Sequence, residues 1–263
     1  MAHPLCLDFL TAIEASPPDL ARLAAANGCA SISFMVHPVE GVPDFGMDRD
    51  TPMRRETRAR CKDLGIGIDM VEGFLLTPET DVARFRPSLE SAAWLGSKCI
   101  NAVFRDTDIG RLADRFAQLA DEAASFELEA LTEWSIRTPL KTLSDAALFI
   151  TRLRRPSARL QFDSLHLFRG GFSAGDLAQI EPHLIGRAQL SDGPAEMPVE
   201  RQYTEAIGGR LPPGEGALPL RSFVHALPDG ITLGIEVPMS ADAGPPAERV
   251  RRAVEGARKV LTA

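Results

Sequence analysis

Four short apolar segments of this chain end in side chains that offer oxygen: Leu131-Thr132-Glu133, Leu160-Gln161-Phe162-Asp163, Arg187-Ala188-Gln189 and Leu233-Gly234-Ile235-Glu236. Three of these are carboxylates and one is an amide. If four neighbouring strands carried them to one rim, the unpaired carboxylates would repel one another and their pKa values would rise. A divalent cation removes that penalty. An all-oxygen donor set suits a hard or borderline ion such as Mg²⁺ or Mn²⁺. A lone carboxylate at a strand end is usually a helix N-cap or a solvated loop anion. The coincidence over four segments is what favours a metal.

Other residues near these segments carry two readings each. Trp134, beside Glu133, is either an apolar wall for a substrate or a packed core residue. Glu72 closes a strand-like run and either lines the pocket or sits as an acid at a helix start. Arg201 and Arg210 lie in the longest loop, where an arginine could clamp an anionic group or simply form a surface pair. Asp192, just past Gln189, is better placed to fix its loop than to bind metal. His3 and His37 have no partner pattern, and His183 and His225 fall away from the rim. No P-loop, dinucleotide glycine pattern, nucleophile elbow or CxxC occurs.

The elements that must position these residues alternate along the whole chain. Aliphatic or β-branched runs at 5–10, 30–36, 66–71, 99–104, 127–133, 159–163, 184–190 and 231–237 read as strands. Helical segments follow them. Ser16-Pro17-Pro18 opens one, and others are expected at 52–64, from 77 to about 95, at 108–124, 142–153, 174–180 and 218–226, and from Pro245-Pro246 onward. The stretch 192–216 reads as a Pro/Gly-rich loop. Strict strand–helix alternation implies a parallel sheet. Eight units in 263 residues fit a single-domain (β/α)₈ TIM barrel. An open doubly wound sheet would want glycines after its first strand, and Asp8-Phe9-Leu10-Thr11 has none.

Composition narrows the function classes. The formal charge is −7, from 29 basic and 36 acidic residues, which argues against a nucleic-acid-binding surface. Only four of the basic residues are lysines. No apolar run approaches a membrane span, and the first residues lack the pattern of a signal peptide. Cys6, Cys29, Cys61 and Cys99 are scattered without metal spacing and read as reduced thiols of a cytoplasmic protein.

With these residues in view, the whole chain resembles the xylose-isomerase-like TIM barrels of the sugar phosphate isomerase/epimerase group, whose fold endonuclease IV shares. The resemblance rests on Glu133, the Asp163-x-x-His166 motif, Gln189 in AQLSD, Glu236 in IEVP, and the segment Arg210-x-x-Pro213-Gly214-Glu215-Gly216. It implies one divalent cation, Mn²⁺ or Mg²⁺ foremost with Co²⁺ or Zn²⁺ as alternatives, held by Glu133, Asp163, Gln189 and Glu236. Gln189 stands where many members have histidine, which disfavours zinc. The resemblance further implies isomerisation or epimerisation of a small, sugar-like hydroxy-carbonyl compound through a metal-stabilised enediolate. Glu133 and Glu236 would be the acid/base pair, and His166 would bond a substrate oxygen or support the metal shell. Its alternative is a loop histidine satisfied by backbone.

A dehydratase of the 3-dehydroshikimate type is the rival chemistry, and a barrel subunit without turnover is a third reading. An endonuclease-IV-like activity needs more metal-binding histidines than the five present. Apolar residues read into the early loops (Phe45, Met47, Phe74, Leu75) hint at a less polar substrate than a bare sugar phosphate. A homodimer paired through outer helices is one expected assembly.

Overall fold

The structure, a computed structural model, describes residues 3–135, 137–240 and 242–262. Its strands are β1 Leu5–Asp8, β2 Ser31–Met35, β3 Gly67–Leu76, β4 Cys99–Phe104, β5 Glu129–Trp134, β6 Ala158–Asp163, β7 Ile185–Leu190 and β8 Thr232–Ile235. All pair in parallel in sequence order, and β1 closes the ring against β8 with Leu5 opposite Leu233 and Leu7 opposite Ile235. The helices are α1 Pro17–Ala26, α2 Pro52–Leu64, α3 Arg86–Leu95, α4 Ile109–Ala124, α5 Leu143–Leu153, α6 Ser164–Arg169, α7 Ala174–Leu177, α8 Gln202–Gly208, α9 Leu220–His225 and α10 Pro246–Thr262. This is the (β/α)₈ TIM barrel that the strand–helix alternation predicts.

Local chemistry sets most helix ends where they were expected. Thr51 caps α2 by accepting from the Arg54 N–H, and Gly65 ends that helix with φ 67°. Asp108 caps α4 through the Arg111 N–H, and a Thr142–Asp145 capping box opens α5. Strand residues pointing outward pack under these helices. Phe104 of β4 lies 5.0 Å from the ring of Phe116 and 5.4 Å from that of Phe149, tying β4 to α4 and α5. Residues pointing inward form a separate, much smaller apolar cluster of Met70, Cys99 and Leu131. All four cysteines are buried and free. No described helix is long and apolar enough to cross a membrane.

Several boundaries depart from the sequence reading, among them the helix expected from residue 77, which begins at Arg86 after the short turn Val82–Phe85. β3 continues to Leu76 instead of stopping at Val71, because it carries two irregularities, at Asp69 and at Glu72–Gly73. Gly73 has φ +112°, and a Cβ there would lie 2.2 Å from the His37 carbonyl, so only glycine lets the two backbones meet. Glu127 does not start β5. It adopts φ 62° in the turn after α4, and the strand begins at Glu129. Finally, α6 and α8 form in stretches read as loops. Each is six or seven residues long, too short for a helical period to show in sequence.

Candidate metal centre

Period-two alternation on the strands decides what the barrel lumen receives. On β5, Leu131 and Glu133 face inward while Trp134 faces the helices. On β6 and β7 the inward pairs are Gln161 with Asp163, and Arg187 with Gln189. Just past the end of β8, Glu236 joins the same rim as Glu133 and Asp163. One oxygen from each of these three carboxylates lies within 4.8 Å of the others.

Two layers of polar groups fill the lumen. In the lower one, Arg187 is 1% exposed and pinned from three sides. It donates to Asp8 at 2.9 and 2.5 Å, to Asp69 at 3.0 Å and to the Gln161 Oε1 at 3.0 Å. Gly234 makes room for this pair: a Cβ there would lie 2.2 Å from Asp8 and 2.6 Å from Arg187. In the upper layer, Gln189 accepts from the Gln161 Nε2 at 2.9 Å and donates to Asp8 at 2.9 Å and to Glu236 Oε1 at 2.8 Å.

Above them Arg210 reaches in from the β7–β8 connection. Its Nη1 donates to Asp163 Oδ2 at 2.7 Å, and its Nη2 lies 3.2 Å from Glu236 Oε2. Asp163 also caps α6, accepting from the His166 N–H at 3.1 Å. That cap swings the His166 ring to within 3.7 Å of Glu133 Oε1, too long for a hydrogen bond. Among the described residues, the buried Glu133 Oε1 has no hydrogen-bond partner, and neither has Glu72 Oε1. Unpaired buried carboxylate oxygens are costly and call for a ligand.

The electrostatics follow from this crowding. Burial, then the charge of Asp163, pushes Glu133 up to about 8. Burial also holds Glu236 well above the usual carboxylate range, opposed by Arg210 and assisted by Glu133. Glu72 rises to about 7 through burial and the nearby Asp8. Burial lowers His166 to about 4, so its imidazole is neutral near pH 7. At the rim, three carboxylates face one guanidinium, so once Glu133 and Glu236 ionise an excess of negative charge remains that a cation would neutralise.

These residues fit such an ion in part. Glu133, Asp163 and Glu236 present close, hard oxygen donors, and Glu133 Oε1 among them has no hydrogen-bond partner among the described residues. Gln189 instead turns its amide nitrogen toward Glu236.

The sequence profile of the family described as xylose isomerase-like TIM barrel matches residues 21–260. The chain belongs to the xylose isomerase-like TIM barrel family. No curated protein matches it. Among solved structures, the IOLI protein with a bound zinc atom superposes with a TM-score of 0.80 at 18% identity, over 98% of each chain. The 3-keto-D-glucoside 4-epimerase YcjR from E. coli gives 0.74 at 16%, over 98% of this chain and all of that one. A xylose isomerase-like TIM barrel/4-hydroxyphenylpyruvate dioxygenase fusion protein gives 0.81 at 16%, and there this chain spans 42% of the longer protein. At such identities the likeness is one of fold.

In this xylose isomerase-like barrel, the rim brings together Glu133, Asp163, Gln189, Glu236, His166 and Arg210. Glu72 lies in the lumen as well, though in mid-strand on β3 and not at a strand end. Trp134 does not reach the site. Alternation turns it outward, where its indole N–H donates to the Leu140 carbonyl at 3.1 Å and its ring meets Phe172. Arg201 is exposed on the short turn Val199–Arg201, outside the carboxylate cluster. Met47 and Phe74, read as loop residues of the pocket, are buried in the core, Phe74 within β3. Asp192 fixes its loop as expected, accepting from the N–H groups of Gly193, Gly214 and Leu218 at 2.8–3.0 Å.

Asp8, Asp69, Gln161 and Arg187 are the residues that the sequence reading missed. The available signal was a polar side chain two positions before each rim residue on β6 and β7, which alternation sends into the same lumen.

Proposed function

We propose that this barrel is a divalent-metal-dependent isomerase or epimerase of a small hydroxy-carbonyl compound. The observation that carries the reading is the cluster of Glu133, Asp163 and Glu236, whose oxygens lie within 4.8 Å of one another and include a partnerless one on Glu133. These three carboxylates would hold the cation. When bound, it would act as a Lewis acid on a carbonyl oxygen and make the adjacent C–H more acidic.

The chain's own groups supply the rest. Glu133 is the base: among the described residues its Oε1 has no hydrogen-bond partner, so it is open to a substrate proton. Glu236 is its counterpart, kept oriented by Gln189 and Arg210, and returns the proton. His166, neutral and 3.7 Å from Glu133, offers an N–H or a lone pair to a substrate hydroxyl beside the reacting carbon. Arg210 restrains the mutual repulsion of Asp163 and Glu236. A cavity of about 200 Å³ adjoins the site, lined by His166, Leu165, Arg137 and Tyr203 among others, with the Arg137 guanidinium 3.8 Å above the Tyr203 ring. It leaves space for the substrate's distal part.

The test is solvent exchange. Purified protein with Mn²⁺ is incubated with a panel of ketopentoses and ketohexoses in D₂O, and proton NMR follows loss of the C–H signal next to the carbonyl. Deuterium incorporation that vanishes with EDTA and in Glu133→Gln supports the proposal. Formation of a conjugated ultraviolet chromophore with loss of water would establish a dehydratase instead. Absence of metal uptake would remove the reading.

A further inference from the structure

Amide orientation at Gln189 is decided from the opposite side of the barrel. Arginine has N–H donors and no acceptor, so the Gln161 atom facing Arg187 at 3.0 Å must be the carbonyl oxygen. That leaves the Gln161 NH₂ facing Gln189 at 2.9 Å, and the Gln189 atom receiving it must again be the oxygen. The Gln189 NH₂ then points at the rim, where it meets two acceptors, Asp8 Oδ2 at 2.9 Å and Glu236 Oε1 at 2.8 Å. Both ends of the chain agree: a fixed donor at the bottom and carboxylate acceptors at the top. Turning either amide would set N–H against N–H in a site where Gln161 is fully buried and Gln189 is 1% exposed. Arg187 itself cannot turn away, because Asp8 and Asp69 hold three of its nitrogens.

We infer that Gln189 is a positioning residue and not a cation ligand: Arg187, acting through Gln161, holds its amide as a hydrogen-bond donor to Glu236. The inference rests on the metal-centre reading above and deepens it. The cation is then bound through Glu133, Asp163 and Glu236 alone, which leaves more of its coordination positions to substrate and water. It also means that the side chain at 189 tunes Glu236, the proposed proton-returning group, without touching the ion.

The experiment is a pair of Mn²⁺-loaded crystal structures, wild type and Gln161→Glu, with Mn²⁺ affinity of both measured by calorimetry. In the wild type, three carboxylates are expected at coordination distance, about 2.0–2.6 Å for a hard cation, with the Gln189 nitrogen on Glu236 and its oxygen on Gln161. In Gln161→Glu the introduced carboxylate still accepts from Arg187 but now demands a donor from Gln189. The Gln189 oxygen should therefore turn to the rim and enter the coordination sphere, with affinity rising roughly tenfold or more, the scale on which shell partners act. A wild-type structure with the Gln189 oxygen on Mn²⁺ overturns the inference and leaves the metal reading standing. An unturned amide in the variant, with the ion bound, also overturns it. No Mn²⁺ binding to the wild type overturns both.

Discussion

Without a cation, this lumen should lose folding stability as the pH rises past neutrality, and a divalent ion should abolish that loss. A carboxyl whose folded pKa exceeds its unfolded value keeps a proton that the unfolded chain has released, so stability falls with rising pH between the two values. Glu133, raised from 4.5 to about 8, acts over that whole interval, and Glu236 acts in the same direction. His166 opposes them lower down. Its pKa is lowered from 6.5 to about 4, so the folded state binds fewer protons there and stability rises up to about pH 6.5. Glu72, at about 7, adds to the loss until it is ionised.

The informative window therefore lies between pH 6.5 and 8. At about 1.4 kcal/mol per pH unit, Glu133 alone removes about 2 kcal/mol across it, with Glu236 adding to the same trend. The assay is urea unfolding followed by circular dichroism at several pH values, in EDTA and in excess Mn²⁺. The ion needs ionised ligands and binds only the folded state, so it adds about 2.7 kcal/mol at a hundredfold excess over its Kd. That increment should grow with pH. A metal-free stability that is flat or rising from pH 6.5 to 8 would refute the assignment of these carboxyls as crowded and under-compensated. So would an Mn²⁺ increment that is equal at pH 5.5 and 8.

Three further outcomes are expected. Glu133→Gln should lower proton exchange on an accepted substrate by at least about 100-fold, the usual scale for a general base, while thermal unfolding in EDTA shifts upward; an unchanged exchange rate would remove Glu133 from the chemistry. Arg210→Met should destabilise the EDTA-treated protein by about 3–5 kcal/mol, because Asp163 and Glu236 lose their buried countercharge, and Mn²⁺ should recover much of that loss; an equal loss with and without Mn²⁺ would show that Arg210 only packs. Trp134→Phe should cost about 1 kcal/mol through the lost bond to Leu140 and leave KM unchanged, whereas a raised KM would place the indole back in the pocket.

Much of this protein is legible in local sequence. Capping residues such as Thr51, Asp108 and Thr142 mark helix starts, and Gly65 and Gly96 mark helix ends, because these signals act within one turn of the chain. Strand–helix alternation then leads to the barrel, and the barrel to a rim where Glu133, Asp163 and Glu236 meet. Where the reading failed, the cause was an irregularity that periodicity does not report: the bulges of β3 that carry Glu72 into mid-strand, and the short helices α6 and α8. For Trp134 the sequence leaves two readings open, and alternation, which turns adjacent strand residues to opposite sides, selects the packed one.

The partners of each rim group come only from tertiary structure. In the sequence Gln189 reads as an oxygen donor, and Arg210 reads either as a clamp for an anionic group or as a surface pair. Across the closed barrel, Arg187 meets Asp8 from 179 positions away and Asp69 from 118, and Arg210 meets Asp163 from 47. Those contacts fix which end of an amide faces the site and how much negative charge is left for a cation. Amide polarity and net charge in a buried site depend on every group within a few ångströms, whatever its distance along the chain. Local pattern therefore names the carboxylates, and the folded lumen decides what they can hold.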